Sequence, residues 1–132
     1  AATPMRKQRR FFHSFRDAGR GIGSCLRTER NMRVHLGACV LVVLLAAWLG
    51  VGRAEWACLL LAMGMVTAAE AVNTAIEGLC DFIEEGHNAQ IGKIKDIAAG
   101  AVLLAAVFAA AVGAVVFLPR LLGCIEMLQR YI

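Results

Sequence analysis

The sequence predicts an all-α membrane protein, with an N-terminal amphipathic surface helix followed by three transmembrane helices. Three observations carry that reading. The chain has 132 residues, 59% of them hydrophobic, with mean hydropathy +0.64, well above the range of soluble domains. The apolar excess is gathered into three blocks. The basic residues are gathered too: Arg6, Lys7, Arg9, Arg10, Arg16, Arg20, Arg27, Arg30 and Arg33 precede the first block, with only Asp17 and Glu29 against them. The same numbers exclude other classes. Disorder needs the opposite bias, and two prolines rule out a collagen-like chain. The five cysteines show neither CxxC spacing nor a His/Cys cluster, so no disulfide framework or zinc site is expected. No nucleic-acid partner is expected either, because the charge comes without a basic recognition motif. A basic stretch running straight into an apolar one suits anionic lipid head groups. It is too long for a signal peptide.

Each element follows in order. Residues 5–29 interleave Phe11, Phe12, Phe15, Ala18 and Ile22 with arginines, the spacing of a helix lying in the membrane interface. Gly19, Gly21 and Gly23 are expected to break or bend it. Residues 34–50 carry no charge apart from His35 and just reach across about 30 Å of hydrocarbon. Gly50-Val-Gly-Arg53 is a tight turn. A second helix covers 55–83, opening on Glu55 and the interfacial Trp56. The third, 97–118, is uncharged, rich in the Ala and Gly that let membrane helices approach closely, and ends at Pro119-Arg120. The whole is a single integral-membrane domain. Counting basic residues places the N-terminus and the 84–96 loop in the cytoplasm, with the 51–55 turn and the tail outside.

The chemistry sits on the second span. Glu70, Asn73, Thr74, Glu77 and Asp81 lie at i, i+3, i+4, i+7 and i+11, within roughly 100° of arc on an otherwise apolar helix. Entering near Glu55, the helix carries Glu70 about 22 Å along its axis, still within the hydrocarbon and near its cytoplasmic edge. An ionisable group there is costly, and so persists where it is used. Asn73 and Thr74 alone would serve as packing glue. Three carboxylates on one stripe repel each other unless a cation is shared, and Mg2+ held by one or two carboxylates and substrate phosphates fits the stripe's lower end. Glu70 is placed to act as a base. In the 84–96 loop, Lys93 and Lys95 beside Asp96 at a helix start form an anion site, against the simpler reading of ordinary membrane anchoring.

At these residues the sequence resembles a known family. Glu70-Ala-Val-Asn-Thr-Ala-Ile-Glu77, Asp81 and Gly92-Lys-Ile-Lys-Asp96-Ile-Ala-Ala-Gly are similar to the small integral-membrane lipid kinases of bacteria, the prokaryotic diacylglycerol kinase family. The likeness extends to Thr28-Glu29-Arg-Asn-Met-Arg33-Val-His35 and covers roughly residues 10–118. The ERNxRxH, NTAIE and AAGAV spellings resemble its Gram-positive, undecaprenol kinase branch.

The resemblance implies transfer of the γ-phosphoryl group of ATP to the primary hydroxyl of a lipid alcohol, undecaprenol ahead of diacylglycerol. It further implies Mg2+ as cofactor and a homotrimer with composite sites in the bacterial cytoplasmic membrane. Carried over by residue, it makes Glu70 the base with Asn73 beside it, and Glu29 and Glu77 the metal pair. It puts Arg10, Asp17, Glu29, Glu77, Asp81, Gly86, His87, Asn88, Gly92, Lys95 and Asp96 at the nucleotide, and Arg10, Asn31, Arg33 and Glu70 at the lipid. The sequence departs from the family at Asp17 and Gly19, where aromatics are common, and His87 stands one place before the family's histidine position. A small multidrug-type transporter is the competing class. It would need four spans and a mid-membrane glutamate in the first. A purely structural subunit would leave Glu70 unexplained.

Overall fold

In the computed structural model the described residues are 4–84, 86 and 88–132, with side chains described from residue 10 onward. They form four helices and no strand: α1 (Pro4–Thr28), α2 (Arg30–Leu49), α3 (Arg53–Ile83) and α4 (Ala89–Tyr131). Helices α2, α3 and α4 are each long and apolar enough to cross a membrane. Their outward faces bear large exposed apolar side chains; Trp48 is 74% exposed and Phe82 89%. Water would make such a surface a liability, whereas lipid tails solvate it without cost. The protein is a multi-pass membrane protein.

Helices α3 and α4 make the most extensive contact, and α2 packs against α3. The core lies at the end of the bundle that carries the α2–α3 turn. There Ala46, Val51, Leu59, Val116 and Phe117 are buried together, with Val42, Trp56, Val112 and Leu121 packed around them. Gly50 ends α2 in the left-handed region at φ 67°, and its N–H donates to Ala46 O. A side chain at that φ is strained, which is why the turn takes glycine.

Three expectations need correction. Helix α1 runs unbroken through Gly19, Gly21 and Gly23. Glycine weakens a helix yet keeps its N–H donor, so the hydrogen-bond ladder continues. The far end of α1 is also held by Cys25, buried against Thr74. Helix α4 does not stop at Pro119 but continues to Tyr131. Proline removes one ladder bond, but the next residues are tied to the bundle: Arg120 bonds to Glu55 and Leu121 packs on the core. Finally, α4 begins at Ala89, so Gly92, Lys93, Lys95 and Asp96 lie within the helix instead of in a loop. Asn88 sets that start, its Oδ1 accepting from Gln90 N at 2.9 Å and Ile91 N at 3.4 Å.

Candidate active site

The polar stripe of α3 is where the bundle buries charge. Burial is graded along it: Glu70 is 2% exposed, Asn73 6%, Thr74 and Glu77 are half-buried, and Asp81 is exposed. The gradient follows from the helix, which carries the stripe from between its neighbours toward the end where α3 stops at Ile83. Thr74 Oγ1 donates to Glu70 O at 3.0 Å and accepts from the Cys25 thiol at 3.6 Å, fastening α1 to the stripe. Asn73 Nδ2 donates to Glu77 Oε1 at 3.4 Å, while Asn73 Oδ1 is buried with no hydrogen-bond partner among the described residues. A buried amide oxygen without a donor costs about 1–3 kcal/mol, so it marks a place for a ligand's donor or cation.

Glu70 is the largest fully buried side chain among the described residues. Among the described residues the basic side chain facing it is His35 of α2, with Nε2 3.7 Å from Glu70 Oε2. Sequence reasoning missed His35. The available signal was its place as the one ionisable group in an otherwise uncharged span. Glu29 and Glu77 are the other acids within electrostatic range of Glu70. Glu29 stands at the N-terminus of α2, half-buried and without a capping bond from its side chain. The structure therefore brings Glu29, Glu70, Asn73 and Glu77 into one neighbourhood.

Among the described residues no three of the His, Cys, Asp and Glu side chains gather closely enough to hold a metal ion. That donor set still fits Mg2+. This ion takes one or two protein carboxylates and completes its shell with water and phosphate oxygens. Glu29, whose side chain makes no capping bond, and Glu77 would supply the two carboxylates, beside Asn73 Oδ1, which has no partner among the described residues.

Other expected site residues are placed differently. Asp81 and Lys95 bond to each other across the α3–α4 end, Nζ to Oδ1 at 2.5 Å. The hydrogen bond to Asp81 is the main cause holding the Lys95 ammonium above its ordinary range, just ahead of the apolar run from Ile97. A phosphate would have to draw Lys95 from that partner. Asn88 spends its oxygen capping α4, which leaves its amide N–H2 group for any other contact. Arg33 donates to Leu26 O at 3.1 Å and Arg27 O at 2.9 Å, capping the end of α1. Asn31 and Asp96 are exposed. Arg10 and Asp17 are exposed on α1, about 22 Å and about 12 Å along the helix from Cys25, so the single chain does not bring them to the stripe. Gly86 lies between α3 and α4, and His87 lies outside the described residues.

An apolar groove of about 270 Å3 runs between α2, α3 and α4, from His35 past Met63 and Ala109 to Phe117. A buried acid, further carboxylates and a lysine at one end, with an apolar groove alongside, suit chemistry on a molecule that is itself half polar and half oil.

Comparison with known proteins agrees. Residues 16–117 match the family described as prokaryotic diacylglycerol kinase. The undecaprenol kinase of Bacillus subtilis is 40% identical over 112 residues, 85% of this chain and 91% of that protein. A diacylglycerol kinase of Synechocystis is 40% identical over 111 residues, 83% of this chain and 63% of that protein. The diacylglycerol kinase of Escherichia coli K12 is 30% identical over 90 residues, 68% of this chain and 74% of that protein. A polar stripe along a membrane-length helix, in a chain matched across most of its length, thus makes this protein a member of the prokaryotic diacylglycerol kinase family.

Proposed function

We propose that this lipid kinase transfers the γ-phosphoryl group of ATP to the primary hydroxyl of undecaprenol. The observation that carries the reading is the buried Glu70 on a membrane-length helix, one turn from the unpartnered Asn73 Oδ1 and two from Glu77. Support for undecaprenol comes from the Bacillus subtilis relative, which the chain matches across nearly its whole length. The Synechocystis relative, equally identical, favours diacylglycerol as the second acceptor to test.

In this reading Glu70 takes the hydroxyl proton as the lipid oxygen bonds to the γ-phosphorus. The bond from that phosphorus to the β-bridging oxygen breaks, and ADP leaves. Mg2+ on Glu29 and Glu77 would neutralise charge on the phosphates. Asn73 holds Glu77 in place. Lys95 exchanges Asp81 for a phosphate oxygen, meeting the charge that grows on the departing ADP.

The basic residues before α2, together with Lys93 and Lys95, put the N-terminus and the α3–α4 connection on the cytoplasmic side of the bacterial inner membrane. Helix α1 then lies in the interface, its Phe11, Phe15 and Ile22 toward the acyl chains. A homotrimer with sites shared between subunits would let Arg10 and Asp17 reach a neighbour's stripe, which they do not reach on their own chain. The test offers radiolabelled ATP with undecaprenol and diacylglycerol side by side in detergent micelles. Label is expected on undecaprenol first. Label on diacylglycerol alone would overturn the acceptor, and label on neither would overturn the activity.

A further inference from the structure

Glu70 carries a burden that the chain itself does not relieve. It is 2% exposed, and among the described residues its carboxylate receives no direct hydrogen bond. Thr74 spends its hydroxyl on the Glu70 carbonyl and Asn73 directs its N–H2 group to Glu77. What faces Glu70 Oε2 is His35 Nε2, at 3.7 Å. That separation is too long for a hydrogen bond, yet it is the span of two groups sharing a third atom. An oxygen about 2.8 Å from each fits between them at ordinary hydrogen-bond distances. His35 is held less tightly than Glu70, with its side chain 25% exposed, and it borders the apolar groove, so its ring is not locked by packing on that side.

We propose that His35 and Glu70 together clasp the acceptor hydroxyl, His35 Nε2–H donating to the alcohol oxygen while the alcohol proton points to Glu70 Oε2. This rests on the lipid-kinase reading and goes beyond it by assigning a second residue to the alcohol. A single acidic base fixes where the proton goes but leaves the hydroxyl free to swing about that bond. A donor from α2 fixes the oxygen as well, and aims its remaining lone pair at the phosphate. The proton leaves the oxygen for Glu70 as the bond to phosphorus forms, and His35 keeps its own proton throughout. The donor also meets the negative charge that develops on the oxygen before that bond is complete.

The experiment compares wild type with His35→Phe, His35→Ala and His35→Gln in micelles, measuring kcat and KM for the lipid alcohol and KM for MgATP. Phe keeps the ring's bulk without a donor, and Gln keeps an N–H at similar reach. Phe and Ala are expected to lose about 10- to 100-fold in turnover with lipid, the worth of one hydrogen bond to a charged or charging group. Gln is expected to restore most of it, and KM for MgATP to stay at the wild-type value in all three. Elution volume and melting temperature of each variant confirm that it is folded. A fully active His35→Phe enzyme would overturn the clasp. So would equal losses in folded Phe, Ala and Gln variants, which would make His35 a matter of shape. If wild type itself labels no lipid alcohol, the kinase reading fails first and takes the clasp with it. Active wild type with unaffected variants removes the clasp alone.

Discussion

The two ends of the helical bundle are built on opposite plans. At the turn end, Ala46, Leu59, Val116 and Phe117 are packed together, and the ion pair of Glu55 with Arg120 is two-pronged and reinforced by Gly52 N–H on Glu55. Among the described residues that end leaves no buried polar atom without a partner. At the acidic end, among the described residues, Glu70 is buried without a hydrogen bond to its carboxylate, Asn73 Oδ1 has no donor, and His35 stops short of contact. The difference teaches where the molecule is finished and where it waits for something. Unsatisfied buried groups lower stability, and they are kept where a substrate will complete them.

Substitutions can break this contrast, beginning with the largest effect. Glu70→Gln keeps shape and hydrogen-bonding atoms but removes the base, and should lower lipid phosphorylation by about 10²- to 10⁴-fold while elution volume stays unchanged. Label transfer from ATP measures it, and a normal rate would remove Glu70 from the chemistry. Next, Glu77→Ala should raise the Mg2+ concentration for half-maximal rate about 10- to 100-fold, read from a Mg2+ titration at saturating ATP. An unchanged Mg2+ curve would place the ion elsewhere.

The turn end should respond in stability instead. Gly50→Ala puts a side chain at φ 67° and should cost about 1 kcal/mol, although nothing crowds its Cβ. Equilibrium unfolding in detergent would show it, with turnover per folded enzyme preserved. The smallest effect is expected from Arg120→Gln, which loosens α4 from α3 beyond Pro119. A modest fall in melting temperature with wild-type kcat would confirm that this pair only fastens the helices, and a lost kcat would join the two ends after all.

Much of this was legible in the sequence. The three membrane-length helices and the polar stripe on α3 were, because a 20-residue apolar run and a 3.6-residue period are properties of the chain itself. The turn at Gly50 was legible for the same reason, since only glycine takes its backbone conformation without strain. The helix ends were not. Gly19–Gly23 and Pro119 are local weaknesses, and whether a helix survives them depends on what holds its far side, here Thr74 against Cys25 and Glu55 against Arg120.

The sequence by itself determined the composition of the site: which acids share a face, and that the face lies on a membrane-length helix. Only the tertiary structure decided who meets them. Lys95 goes to Asp81, Arg33 to the end of α1, and Asn88 to the start of α4, while His35, far from every stripe member along the chain, arrives opposite Glu70. Periodicity places residues around one helix axis. The rotation of one helix against another is set by packing, which a single strip of sequence does not contain.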